Sequence, residues 1–231
     1  MIDLMFSPKW FYGKDIAIDL VAIIILTFIA FYSIRCYRLN KKNKNYLSFA
    51  ASFLLLALSF LFKILTNFTL YYYSVETRNL GFITVSYNAL RSSDILFFIG
   101  SIMYRALMLF GLYVLYSVYQ KQSSSNIFII FYLLVISVYF SRSVYFIFHL
   151  TSLIFLVFIT YSYYQNYVRS RNNFTKYLFA SFAIITLSEV FAIFVKLNLV
   201  LYAVAEIVQL IGYVCLLAVF VMVLKNVKKK G

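Results

Sequence analysis

The sequence predicts an all-α integral membrane protein with seven transmembrane helices, and three observations support this fold class. First, 64% of the 231 residues are hydrophobic and only 12% are charged, whereas a soluble domain is about half apolar and about a quarter charged. Second, the apolar residues form continuous runs of about the 20 residues that a helix needs to cross a bilayer. Third, Lys and Arg cluster between alternate runs. This composition excludes a soluble enzyme and a disordered chain.

Seven apolar runs define the predicted helices. The first follows the N-terminal segment and is longer than the apolar region of a typical signal peptide, so we expect it to remain as helix one. The fourth is short, and Ser141–Ser143 between the fourth and fifth must form a very tight turn. The runs are too long and too uniformly apolar to be outer-membrane strands. The predicted spans are 16–36, 46–67, 94–119, 126–140, 144–168, 177–197 and 199–224.

The basic residues predict the orientation and explain the net charge of +14. Eight of them share one end of the predicted helices with all seven acidic residues. At the other end lie thirteen basic residues and no acids: Arg35, Arg38, Lys41, Lys42, Lys44, Lys121, Arg169, Arg171, Lys176, Lys225, Lys228, Lys229 and Lys230. Because such residues concentrate in cytoplasmic loops, we expect an outside N-terminus and a cytoplasmic C-terminus in the cell membrane. Anionic lipid headgroups, and not nucleic acid, are the expected partners of these clusters.

The longest loop, 68–93, is predicted to be extracellular. It carries Glu76, Arg78 and Arg91, with apolar residues such as Phe82 and Tyr87 between them. This mixture predicts a short amphipathic helix that lies in the membrane interface. The alternative is a lid over a pocket.

Two segments of the chain resemble each other, which suggests an internal repeat. Helices three and seven can also be aligned, at Gly111 and Gly212, and this alignment places Arg105 opposite Glu206. The result is a 3+1+3 arrangement, in which helix four links two parallel triplets as in SWEET transporters, although their proline–glutamine signature is absent. Chance is the alternative, because Phe, Leu, Ser and Ala are frequent in this chain. The matching residues are Ala51, Ser52, Phe53, Leu58, Ser59 and Phe62, which recur as Ala180, Ser181, Phe182, Leu187, Ser188 and Phe191.

The candidate ligand-binding residues are the few polar side chains inside the spans. Ionisable groups there cost several kcal/mol unless they are paired or hydrated, so they mark functional sites. We expect Arg105, close to the midplane, to pair with Glu189, Glu206 or both. Gln209 lies on the same stripe of helix seven as Glu206, and His149 lies in the first turns of helix five. All five candidates belong to the outer half or the centre of the membrane.

These residues are consistent with two kinds of function. A hydrated pocket predicts binding or transport of a small polar solute. The alternative for these charges is a dry ion pair that fixes helix packing, and the alternative function is a non-catalytic subunit or sensor that docks a membrane protein partner. We expect no enzyme, metal site or cofactor, because the sequence contains no zinc-protease, paired-aspartate or cysteine–histidine pattern and no glycine-rich phosphate loop.

Overall fold

A computed structural model of the chain describes residues 7–39, 41, 44–71, 76–80, 83–87, 91–118, 124–140 and 145–230. The described part is almost entirely helical, with one two-stranded hairpin and short 3-10 helices at Lys9–Phe11 and Phe194–Lys196. The α-helices are α1 Lys14–Leu39, α2 Asn45–Tyr71, α3 Arg91–Ser117, α4 Ser124–Phe140, α5 Tyr145–Ser170, α6 Asn173–Ile193 and α7 Val200–Lys230.

Six of these helices, all except α4, are long and apolar enough to cross a membrane. The α4 helix has 17 residues and is therefore shorter than a typical span. The outer surface of the bundle carries many large apolar side chains, among them Phe28, Phe31 and Leu61. A surface of this kind is typical of contact with lipid, and the six helices indicate a multi-pass membrane protein.

The helices pack as two consecutive triplets. In the first, α2 packs against α1 and α3, and in the second, α6 packs against α5 and α7. The triplets meet where α1 packs on α7 and where α3 packs on α5, and α4 lies against α3 and α5. Buried aromatic and aliphatic side chains fill the interior, including Phe53, Phe60, Phe182 and Leu216.

Two glycines allow the third helix of each triplet to approach the second closely. A methyl group at Gly111 of α3 would lie 3.1 Å from the Leu56 side chain of α2. At Gly212 of α7, it would lie 2.5 Å from Cγ1 of Ile185 on α6. Small residues at helix interfaces let backbones come together in membrane proteins, and Gly212 has the tighter contact.

Gly212→Ala is expected to lower the free energy of unfolding by about 1 kcal/mol. Overpacking costs about 1–3 kcal/mol, and the higher helix propensity of alanine returns up to about 1 kcal/mol of this. Thermal unfolding of the purified protein in detergent measures the change. Val214→Ala on the exposed face of the same helix is the control, and equal melting temperatures for the two variants would contradict the prediction.

The structure corrects the prediction of an interfacial helix in the loop 68–93. Glu76–Leu80 and Ile83–Tyr87 form an antiparallel hairpin in which Glu76 faces Tyr87 and Leu80 faces Ile83. The segment is rich in Thr, Val, Ile and Tyr, which favour strands, and a glycine in the two-residue connection favours a hairpin turn. The loop is also shorter than expected, because α2 continues to Tyr71 and α3 begins at Arg91. The predicted tight turn at Ser141–Ser143 lies outside the described residues.

Candidate functional site

A buried lysine joins three helices near one end of the bundle. The Lys63 ammonium of α2 donates hydrogen bonds to Asp19 Oδ1 of α1 at 2.8 Å and to Glu206 Oε1 of α7 at 2.6 Å. Lys63 is 8% exposed, Asp19 0% and Glu206 7%. The two carboxylates thus share one ammonium in a place that excludes most water. We call these three residues the Lys63 cluster.

The positions of the three residues along their helices explain why they meet. Asp19 lies five residues after the start of α1, Lys63 eight before the end of α2, and Glu206 six after the start of α7. At a rise of 1.5 Å per residue, these offsets correspond to depths of about 8, 12 and 9 Å. Since α1 and α2 are consecutive and antiparallel, the start of one lies beside the end of the other. The similar depths let a single ammonium reach both acids.

One carboxylate oxygen of each of the two acids accepts no hydrogen bond. Asp19 Oδ2 and Glu206 Oε2 are buried and have no hydrogen-bond partner. With all three groups ionised, the Lys63 cluster carries two negative charges and one positive charge. Buried polar atoms are normally hydrogen-bonded, and an uncompensated charge in a membrane interior is expensive. The Lys63 cluster therefore has one acid more than a structural ion pair, in which one acid faces one base.

A second acid of α1 extends this polar region. The Asn67 side-chain amide of α2 donates to Asp15 Oδ2 at 3.1 Å, and the backbone N–H of Ile16 donates to Asp15 Oδ1 at 2.9 Å. Asp15 and Asp19 are both buried. Asp15 lies in the first turn of α1, where the helix dipole favours a negative charge.

Aromatic rings border the Lys63 cluster on its inner side. The Lys63 ammonium lies 5.4 Å from the centre of the Phe60 ring, within the range of a cation–π interaction. Phe60 contacts the edge of Tyr213, with ring centres 5.8 Å apart, and the Gln209 side-chain amide donates to the Tyr213 hydroxyl at 3.4 Å. Tyr104 and Tyr202 lie close enough to interact electrostatically with Lys63.

A second buried pair lies between α5 and α6. His149 Nδ1 and Glu189 Oε2 are 2.8 Å apart, and both residues are buried. Tyr213 of α7 lies within electrostatic range of both Glu189 and Glu206.

The structure gives the candidate acids partners that the sequence analysis did not expect. Glu206 pairs with Lys63 and Glu189 with His149. Arg105 lies on α3, half-buried, next to Tyr104. The sequence analysis did not include Lys63 among the candidate residues. Its place inside an apolar run, four residues before Asn67, was the signal that could have revealed it.

The described residues contain no group of three or more His, Cys, Asp or Glu side chains that could hold a metal ion. No protein family, curated protein or solved structure matches the chain. Its function must therefore be inferred from the chemistry of the Lys63 cluster and the His149–Glu189 pair.

Proposed function

We propose that this protein binds and transports a small polar solute at an intramembrane site in its outer half, with the Lys63 cluster as the centre of the site. The observation that carries the proposal is the shared ammonium, which leaves one buried oxygen on each of Asp19 and Glu206 without a partner. A purely structural pair would need one acid for one base. The surplus acid and the two oxygens without a donor are expected of a site whose hydrogen-bond partners change when a solute binds.

The proposed architecture is a seven-span bundle built from two parallel repeats, α1–α3 and α5–α7, with α4 as the linker. The packing supports this symmetry, because α1 on α7 has its counterpart in α5 on α3. Gly111 packs on Leu56 and Gly212 on Ile185. Leu56 and Ile185 are separated by the same 129 residues as Ala51 and Ala180 of the sequence repeat.

In this architecture, the two polar groups occupy equivalent places. The Lys63 cluster lies among α1, α2 and α7, and the His149–Glu189 pair lies between α5 and α6. The proposed repeat relates α1 to α5, α2 to α6 and α7 to α3, and α3 packs on α5 as α7 packs on α1. Transporters built from repeats bind their substrates at the interface between the repeats. The proposed site therefore includes Glu189, His149 and Gln209, and Arg105 of α3 completes the set taken from the sequence.

The proposed orientation places the Lys63 cluster towards the outside. The charges at the opposite end of the bundle support it, because Arg35, Arg38, Arg169, Arg171 and Lys176 are all exposed there. A cavity of about 430 Å³ at this end is lined by Arg169, Asn172 and Thr175, among others. Basic groups of this kind favour anionic headgroups on the cytoplasmic side.

The test of this function is a binding screen followed by an uptake assay. The purified protein is mixed with amino acids, sugars and small organic cations, and its thermal stability is measured. At least one compound should raise the melting temperature of the wild type, and its uptake into proteoliposomes should follow. Glu206→Gln and Arg105→Ala should each reduce binding and uptake at least tenfold, whereas Val214→Ala should not. Wild-type binding and uptake in both site variants would contradict the proposal.

A further inference from the structure

The charges around Lys63 do not balance. Three acids, Asp15, Asp19 and Glu206, lie near one buried ammonium. Among the residues that the structure describes, the other titratable side chains near the cluster are the phenols of Tyr104 from α3 and of Tyr202 and Tyr213 from α7. Phenols are neutral near neutral pH and therefore leave the imbalance unchanged. The buried acid of α6, Glu189, has its own partner in His149.

Asp15 already has hydrogen-bond partners where it lies. Both of its oxygens accept hydrogen bonds, and the start of α1 adds the favourable end of a helix dipole. Asp19 and Glu206 differ from Asp15, because each has one buried oxygen with no donor. The uncompensated negative charge therefore belongs to the Asp19–Glu206 pair.

A proton fits this pair better than a metal ion does. Metal ions such as Ca²⁺ require six to eight oxygen ligands, whereas the two unused carboxylate oxygens are all that the pair offers. A metal ion bound there would also face the Lys63 ammonium across a single carboxylate group. A proton needs only one oxygen and removes the excess charge without further ligands.

We infer that the Asp19–Glu206 pair binds one exchangeable proton, so that Lys63 faces one carboxylate and one carboxylic acid. The proton comes from water and forms an O–H bond to the unused oxygen of one acid; on release it returns to water, and the pair again has two carboxylates. Two like charges that share one site do not both ionise readily. Because the pair lies in the proposed transport site, this proton is the coupling ion of that transport, a step that rests on the proposed function.

Infrared spectroscopy of the purified protein in lipid vesicles tests the inference, with protons as the probe. The wild type should have a carboxylic-acid C=O band that disappears reversibly as the pH is raised. Both Asp19→Asn and Glu206→Gln should lack this band, since either change leaves a single acid fully ionised beside Lys63. Glu189→Gln, which removes the buried acid of the His149–Glu189 pair, is the matched control and should keep the band.

Two variants keep the test valid if one of them fails to fold, as judged by size-exclusion chromatography. A wild type without the band, or a band that remains in both Asp19→Asn and Glu206→Gln, would overturn the inference. A band that appears only when Na⁺ and K⁺ are replaced by choline would show that a metal ion occupies the pair, and would also overturn it. The solute assays separate the two proposals. If the wild type lacks the band but Glu206→Gln still loses solute binding, the transport site is supported and the bound proton is not.

Discussion

Lys63→Met should lower the free energy of unfolding by about 3–5 kcal/mol, the largest effect expected from a single substitution in this protein. Methionine has a similar length and fills the space, but it leaves Asp19 and Glu206 without the ammonium that both of them contact. Breaking a buried ion pair by removing one partner typically costs this much, because a charge remains buried without compensation. Thermal and denaturant unfolding in detergent measure the loss.

Removal of the acids should restore most of this stability. In the triple variant Lys63→Met/Asp19→Leu/Glu206→Met no charge remains in the cluster, and replacement of a whole buried ion pair by well-packed hydrophobic residues of similar volume is often nearly neutral. Lys196→Met serves as the matched control, because Lys196 is an exposed lysine in the 3-10 helix that follows α6. If Lys63→Met and Lys196→Met have equal stability, the Lys63 ammonium contributes little and its role in the site is also in doubt.

The positions of the helices could be predicted from the sequence because hydrophobic length is a strong local signal. The predicted spans 46–67 and 177–197 overlap α2 and α6 almost completely. Their ends differ by a few residues, because polar residues such as Asn45 and Asn173 continue a helix beyond its apolar part. A hairpin could not be distinguished from an interfacial helix in the same way, since short amphipathic segments satisfy both periodicities.

The membership of the site depended on which helices are neighbours, and a single sequence does not contain this information. Glu189, Glu206 and His149 were identified because any ionisable residue inside a span is suspect. The partners of these residues could not be identified, because depth in the membrane alone does not distinguish Arg105 from Lys63 as the partner of an acid. Lys63 is the partner of Glu206 because α1 packs against both α2 and α7, which is a tertiary fact.

His149→Leu should lower the free energy of unfolding by about 3 kcal/mol, a value between those for a lost buried hydrogen bond and a lost buried ion pair. The leucine fills the space of the ring but leaves Glu189 buried without the imidazole nitrogen that lies 2.8 Å from its carboxylate. Leu150→Ala, on the exposed face of α5, controls for the general effect of substitution in this helix. The change is measured by thermal unfolding in detergent.

The double variant His149→Leu/Glu189→Met distinguishes a hydrogen-bonded pair from simple packing. Removal of both polar groups also removes the unpaired Glu189 carboxylate, so the double variant should be more stable than His149→Leu alone. The two substitutions should therefore be coupled by about 1–3 kcal/mol in a double-mutant cycle. If their effects simply add, His149 and Glu189 act as separate packing residues. That result would count against the proposed equivalence of this pair and the Lys63 cluster. The repeat would then relate a buried polar site to an ordinary packing contact between helices.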